Sequence, residues 1–320
     1  MIDNMRVLIT GVTGMVGSYL AEMEYSRGNS VYGVVRWRSD RSNIKSVEDV
    51  IHLWDCDLTD AFAVIEMINT IKPHMIYHMA AQSFVKESWG SPEKTLSNNI
   101  LGTLNILEAV RNMPFSPRIL VAGTSEEYGA VMSSELPIKE TTPLRPASPY
   151  AVSKVTQEML ALQYARSYGH DVIVTRAFNH EGPRRGHVFV TSNFAKQVAE
   201  MEKGLRPAVL KVGNLEAQRD YTDVRDMVQA YQLAISNPYV KGVYNIASGK
   251  AHKIQEVVDL LQEFSTINFT VEQDPSRMRP SDIPILLGDS TRFREVTGWE
   301  PKIPFEVTMK DTLWYWRQLV

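Results

Sequence analysis

Met5-Arg-Val-Leu-Ile-Thr10 runs directly into Gly11-Val-Thr-Gly14-Met-Val-Gly17, and the architecture follows from these thirteen residues. The first six form a short apolar, β-branched run, the pattern of a strand buried on both faces of a parallel sheet. After the last glycine, Ser18 to Arg27 carries an amphipathic helical pattern. Strand, glycine-rich turn and helix, in that order, make a dinucleotide-binding unit. The first glycine permits the tight turn, the second lets backbone approach the pyrophosphate and the third lets helix and strand pack closely. The helix N-terminus then faces the phosphates. Three glycines alone can also be an ordinary turn, so the flanking elements carry this reading.

Moving outward, the next strand, Ser30 to Val35, ends at Arg36-Trp37-Arg38. A site for NAD places an acidic residue near here for the ribose 2′-hydroxyl. Two arginines suit a 2′-phosphate instead, so the expected cofactor is NADP, the alternative being a solvated basic loop. A strand is expected over Val50 to Trp54. Asp57 after it is placed to accept from an adenine amine, and Thr59 is expected to cap a helix from Asp60 to Ile71. Met75 to Met79 reads as the fourth strand, with His78 a packed core histidine. Ala80 and Ala81 present minimal side chains at its C-terminal end, where α/β sheets bind ligands. Gln82 to Trp89 reads as a polar loop. The helix Pro92 to Asn112 follows, with Leu96, Ile100, Leu104, Leu107 and Val110 as its apolar face. The fifth strand, Arg118 to Ala122, delivers Thr124 and Glu126 to the same edge, and Asp171 to Arg176 is the sixth.

The sequence therefore predicts an α/β protein. A Rossmann-type doubly wound parallel sheet spans residues 1–178, with a smaller, interleaved α/β substrate-binding domain over 179–320. In the second part Asn179 to Gly186 reads as a basic loop able to grip an anion. Helices are expected near Thr191 to Lys203, Thr222 to Ser236, Lys253 to Phe264 and Phe305 to Leu319. Strands are expected at Val209 to Val212 and Gly242 to Ala247. Leu313, Trp316 and Leu319 read as a core stripe.

The chemistry centres on Ser148-Pro-Tyr150-Ala-Val-Ser-Lys154. Ser148 suits an N-cap and Pro149 the first position of a helix to Tyr168. Tyr150 and Lys154 then share one helix face. An ammonium beside a phenol favours the phenolate, so the tyrosine would exchange protons nearer neutrality. The plainer alternative is a surface tyrosine and lysine that share a face by chance.

The totals narrow the classes. The chain has 320 residues, a net charge of -3 and one cysteine, Cys56. Near-balanced charge argues against nucleic acid or an anionic membrane surface as partner. The lone cysteine excludes an intrachain disulfide and fits a reducing compartment. No apolar run approaches the ~20 residues of a membrane span. The N-terminus lacks the layout of a signal peptide, so a soluble cytoplasmic protein is expected. The histidines show no HExxH motif, and no metal site is expected.

The glycine turn, Thr124-Ser-Glu126 and Tyr150-x-x-x-Lys154 stand in the order and spacing of the extended short-chain dehydrogenase/reductases, which this chain resembles. Within them it is similar to the GDP-mannose 4,6-dehydratases and the GDP-4-keto-6-deoxy-mannose reductases. That likeness rests on "AAQSFVKESW", "TSEEYG", "RPASPYAVSK", "FNHEGPRRGHVFVT", "VGNLEAQRD" and "RPSD". The resemblance implies that Tyr150 takes a proton from a sugar C4 hydroxyl while hydride leaves C4. Lys154 tunes that phenol and touches the nicotinamide ribose, and Thr124 hydrogen-bonds the C4 oxygen. Glu126 removes the C5 proton and helps expel the C6 hydroxyl, alone, because Ser125 stands where dTDP-sugar dehydratases carry Asp.

The cofactor set implied is Gly11, Thr13, Gly14, Met15, Val16, Gly17, Arg36, Arg38, Asp57, Leu58, Ala80 and Ala81, with Tyr150 and Lys154. The substrate set is Ser83, Lys86, Ser125, Asn179, Val190, Lys196, Arg219 and Arg279. Of these, Asn179, Lys196, Arg219 and Arg279 would face the diphosphate, or else serve in structural ion pairs. The resemblance also implies a GDP-sugar substrate and a homodimer or homotetramer. It divides between dehydratase, which the complete Thr124, Glu126, Tyr150, Lys154 set favours, and NAD(P)H-dependent reductase. A non-catalytic NADP(H) sensor is the remote alternative.

Overall fold

The structure is a computed structural model that describes residues 4–277 and 283–320. In chain order the first half contains β1 (Arg6–Thr10), α1 (Met15–Ser26), β2 (Ser30–Val35), β3 (His52–Asp55), α2 (Ala61–Ile71), β4 (Met75–His78), α3 (Val85–Gly90), α4 (Pro92–Arg111), β5 (Arg118–Ala122), α5 (Pro149–Tyr168) and β6 (Asp171–Ala177). The second half contains β7 (Asn179–Glu181), α6 (Val190–Glu202), β8 (Val209–Val212), β9 (Gln218–Asp223), α7 (Val224–Ser236), β10 (Gly242–Ile246), β11 (Ala251–Lys253), α8 (Ile254–Phe264), β12 (Thr270–Gln273), β13 (Ile285–Leu286), α9 (Thr291–Thr297) and α10 (Phe305–Leu319).

A parallel seven-stranded sheet in the order β10-β6-β5-β4-β1-β2-β3 forms the frame. β1 is buried on both faces, which its unbroken apolar run requires. Val7 and Ile9 join one core with Leu20 of α1 and Val228 and Tyr231 of α7. Leu8 joins the other with Ile68 of α2, Ile106 and Val110 of α4 and Ala161 of α5. The chain leaves β1 toward β2 on one side and returns to β4 on the other, so a crevice opens between β1 and β4 at the C-terminal edge. A second body of structure carries β11-β9-β13, with β7 alongside β9, and the β12-β8 pair. Its core joins Phe194 and Val198 of α6, Leu261 of α8 and Met309, Leu313 and Trp316 of α10. β10 belongs to the first sheet although it lies late in the chain, so the two parts interleave. Among the described residues no helix is long and apolar enough to cross a membrane.

Several expectations are corrected. α1 starts at Met15, inside the glycine run, with Gly14 as its N-cap, so its unpaired N–H groups open directly onto the turn. Asp60, not Thr59, caps α2, accepting from the amides of Phe62 and Ala63. Thr59 instead donates to the Asp57 carboxylate. The third strand is shifted to His52–Asp55. Part of the stretch expected as a polar loop, Val85–Gly90, is helix α3. Residues before Val224 form strand β9 rather than the first turn of α7, and Asn179–Glu181 is strand rather than loop.

The buried face of α4 begins with Thr95, Asn99, Gly102 and Thr103, while Leu96, Ile100 and Leu104 are only half-buried. Hydrogen bonds explain this face. Asn99 donates to Ser153 Oγ of α5 at 2.8 Å and receives the Gln82 amide at 2.8 Å. His78, buried as expected, bridges Thr10 Oγ1 and Thr103 Oγ1 at 2.9 Å each. Burial pulls its imidazole down to about 3, so it stays neutral. On α10, Leu313 and Trp316 are core but Leu319 is exposed.

Candidate active site

A cavity of about 620 Å³ opens at the β1/β4 crevice. Its floor is the glycine turn. Gly11 adopts a φ of 68°, a left-handed conformation that suits glycine, and its carbonyl accepts from the Gly14 amide at 3.0 Å. A Cβ on Gly17 would land on the Gly11 carbonyl oxygen and 2.8 Å from Val12 Cα, so only glycine lets α1 pack this close to β1. Gly11, Thr13, Gly14, Met15, Val16, Gly17, Leu58, Ala80 and Ala81 all line the cavity. So do Arg36 and Asp57. Bonds from the Thr59 amide and hydroxyl hold the Asp57 carboxyl below the usual range. Arg38 does not line it. This residue takes a φ of 65° and lays its guanidinium 4.1 Å over the exposed Trp37 ring.

β5 and α5 deliver the expected catalytic residues. Past β5 the chain makes a 3-10 turn, Ser125–Tyr128, capped by Thr124. The Glu126 amide donates to Thr124 Oγ1 at 3.3 Å, and the Thr124 amide donates to Glu127 Oε1 at 2.8 Å. Ser148 caps α5 by accepting from the Ala151 amide at 3.1 Å, with Pro149 in the first turn. One residue on, the Tyr150 phenol is hydrogen-bonded to the Thr124 side chain. Thr124, Glu126, Tyr150 and Lys154 line the same cavity as the glycine turn.

The electrostatics correct one expectation. Burial pushes the Tyr150 phenol up, Glu126 and Glu127 add to that, and the Thr124 bond and Arg185 oppose it. Lys154 shares the helix face, but its Nζ donates to the Ala122 carbonyl at 2.9 Å and lies 5.9 Å from the phenol ring centre. Burial lowers the lysine itself to about 8 against the opposing field of Glu127. Desolvation of the phenol thus outweighs the ammonium in this structure.

The expected substrate residues divide. Ser83, Ser125, Asn179 and Val190 line the cavity. Lys86 lies outside it, donating to the Ser276 carbonyl at 3.0 Å. Lys196 also lies outside, 3.7 Å from Glu200 and 5.4 Å over the Trp316 ring. Arg219 is buried on β9, donates to the Ile283 carbonyl at 2.7 Å and borders a small hollow shared with Glu126 and Trp89. Arg279 falls outside the described residues.

The segment after β7 adds groups that the motif reading did not single out. Arg185 lines the cavity, lies 3.5 Å from Glu181 and 3.5 Å over the Phe189 ring, and its buried Nε makes no hydrogen bond among the described residues. That Nε already faces Glu181 Oε2, but a guanidinium at a cavity wall is chemically suited to an anion. His180 lines it as well, pulled down to about 4 by burial and Arg185. Neighbouring Arg184 turns away, to Glu22 at 2.7 Å and over Tyr19, and straps this segment to α1. The basic run was visible in the sequence, but which arginine faces inward is set by the backbone after β7.

A sequence profile described as GDP-mannose 4,6 dehydratase matches residues 8–312. The GDP-6-deoxy-D-mannose reductase of Pseudomonas aeruginosa is 34% identical over 98% of both chains. The human GDP-mannose 4,6 dehydratase is 33% identical over 95% of this chain and 89% of its own length. Among solved structures, RMD from Pseudomonas aeruginosa complexed with NADPH superposes with a TM-score of 0.84 at 31% identity, covering 99% of this chain and 100% of that one.

Proposed function

This chain belongs to the GDP-mannose 4,6 dehydratase family, and from that premise we propose that it is an NADP-dependent nucleotide-sugar 4,6-dehydratase converting GDP-mannose to GDP-4-keto-6-deoxy-mannose. The observation that carries this reading is Glu126, which lines the cavity beside the Thr124–Tyr150 pair. A ketone reductase needs an acid and an oxygen-binding hydroxyl. A carboxylate next to them is required only when a C–H proton must be removed and a hydroxyl expelled.

The glycine turn, in which Gly11 and Gly17 leave no space for a side chain, and Arg36 fit a dinucleotide with a 2′-phosphate. When bound, NADP+ would accept hydride from C4 and, once reduced to NADPH, return it to C6. Tyr150 acts as the phenolate, a form that its burial opposes and that a bound cationic nicotinamide would favour, and receives the C4 hydroxyl proton as that carbon is oxidised, while Thr124 holds the oxygen. Glu126 takes the C5 proton, acidified by the adjacent ketone, and returns it to the departing C6 hydroxyl, so water leaves and the carboxylate is restored; once hydride has returned to C6, C5 takes up one proton, balancing the one that Tyr150 received from the C4 hydroxyl. Arg185, Asn179 and Val190 are assigned to the sugar-nucleotide end of the cavity. Arg219 and Lys196 come into play there only if the wall moves. The division at residue 178, a homodimer or homotetramer, and a cytoplasmic setting belong to the same proposal.

The second reading, reduction of a 4-keto-6-deoxy sugar with NAD(P)H, is favoured by the similarity to the Pseudomonas reductase across 98% of both chains. Incubation with GDP-mannose and catalytic NADP+ separates the two. A nucleotide sugar lighter by one water supports the dehydratase. Inert GDP-mannose, with NADPH consumed only when the 4-keto sugar is supplied, establishes the reductase.

A further inference from the structure

Behind the Thr124 turn lies a buried cluster that the proposed chemistry does not use. Arg176 of β6 donates to both oxygens of Glu158 on α5, at 2.8 and 2.6 Å. Its Nη1 serves the Tyr128 hydroxyl at 2.9 Å and the Glu140 carbonyl at 3.0 Å. Glu127, wholly buried, is left over. Its Oε1 receives the Thr124 amide, but Oε2 lies 3.9 Å from Arg176 Nε and has no donor among the described residues. The same Arg176 Nε donates to Glu158 Oε2 at 2.8 Å, so the two carboxyl groups flank one nitrogen. Glu127 Oε1 lies close against Gly123, where a Cβ would meet it at 2.7 Å.

An uncompensated carboxylate oxygen in such surroundings is costly, whereas a proton between two carboxyl groups satisfies both. We propose that Glu127 holds a proton shared with Glu158 and acts as a positioning residue, anchoring Thr124 through its amide and setting the charge on Lys154. Burial and Glu158 both push the Glu127 carboxyl up, which agrees with that geometry. The groups facing it are Glu158, Tyr150 and Lys154 from α5 and Arg176 from β6. Lys154 in turn faces His78 of β4. Only an ionised Glu127 raises the proton affinity of Lys154, so the shared proton keeps the lysine close to neutral release. The inference rests on the roles given above to Thr124, Tyr150 and Lys154.

The first test needs no turnover, and so stands or falls separately from the choice of substrate. In the full chain labelled with carbon-13 at the glutamate carboxyls, one resonance is expected to remain in the protonated form at neutral pH and to be missing from Glu127→Gln. In Glu158→Gln the same resonance is expected to titrate at lower pH, because the carboxyl that opposes its ionisation is gone. If every glutamate titrates in the ordinary acid range, or the neutral-pH acid signal survives in Glu127→Gln, the proposal is overturned. The second test is the pH profile of whichever nucleotide-sugar reaction the protein performs. Glu127→Gln retains an acceptor for the Thr124 amide but loses the ionisable group. Because the shared proton leaves Glu127 uncharged at neutral pH, the alkaline limb of this variant is expected to superimpose on wild type. A limb about one pH unit lower, a tenfold change in the proton affinity of Lys154, would show that wild-type Glu127 is ionised and overturn the proposal.

Discussion

Gly17→Ala is expected to damage the protein more than Gly14→Ala, although both glycines stand in one turn. The new Cβ at position 17 would lie on the Gly11 carbonyl oxygen, 2.8 Å from Val12 Cα and 2.9 Å from the Gly11 carbonyl carbon. Every one of those atoms is backbone. Ordinary carbon contacts lie at about 3.5–4.0 Å, so α1 must retreat from β1 by roughly 1 Å. Overpacking of this kind costs about 1–3 kcal/mol, and with no flexible side chain to yield, the upper end applies. Alanine in place of glycine within α1 returns about 1 kcal/mol of helix propensity. The net is about 2 kcal/mol, or about 4 °C in the melting midpoint. At Gly14 the Cβ would meet only the Gly11 oxygen, at 3.2 Å, a few tenths of an ångström too close. That variant should melt near wild type, yet its methyl projects where backbone must approach a pyrophosphate. Its affinity for NADPH should fall about tenfold or more, a loss of about 1.4 kcal/mol. Thermal unfolding and NADPH fluorescence titration read the two effects apart. A Gly17→Ala protein that melts and binds like wild type, or a Gly14→Ala protein that is the less stable of the two, would refute this account of the turn.

Three further outcomes follow from the same structure. Glu126→Gln should bind NADPH like wild type but fail to release water from GDP-mannose, as read by mass spectrometry; normal turnover would remove Glu126 from the mechanism. Ser148→Ala removes the acceptor for the Ala151 amide at the head of α5 and should cost about 1 kcal/mol in urea unfolding. Because the cap lies two residues from Tyr150, turnover should fall further than stability alone explains, and unchanged turnover would count against that coupling. His78 has a folded value of about 3, below its ordinary 6.5, so the folded state holds fewer protons than the unfolded one. Its contribution is therefore complete above about pH 6.5 and is lost as pH falls toward 3, at up to about 1.4 kcal/mol per pH unit. His78→Gln should give a shallower acid decline in urea midpoints between pH 7 and pH 4; an unchanged slope would show that other groups govern acid unfolding.

Legibility differed with the kind of signal. Strands such as Ser30–Val35 and Arg118–Ala122 were readable to the residue, because a strand covered on both faces must be an unbroken apolar run bounded by polar ends. The glycine turn and the Tyr150 helix were readable because capping and tight turns constrain residue type locally. What stayed hidden depends on partners distant in sequence. The inward face of α4 is polar, since Asn99 and Thr103 find Ser153 and His78 across the fold, and apolar periodicity points to Leu96, Ile100 and Leu104 instead. Arg36 and Arg38 look alike in sequence, yet only one reaches the cavity. Arg185 and Arg184 divide in the same way. The phenol–ammonium argument had the right geometry, but burial, which sequence does not display, sets the direction of the Tyr150 shift. Glu127 passed as an ordinary residue of its motif because its role comes from the second carboxyl brought beside it by α5.

The central claim is an internal hydride transfer from C4 to C6 of one sugar, and deuterium at C4 of GDP-mannose tracks it directly. With catalytic unlabelled NADP+, the account predicts a product lighter by one water that carries the deuterium at C6, while the NADPH pool stays unlabelled. Deuterium accumulating in NADPH, or labelled GDP-mannose recovered intact after prolonged incubation, would contradict it.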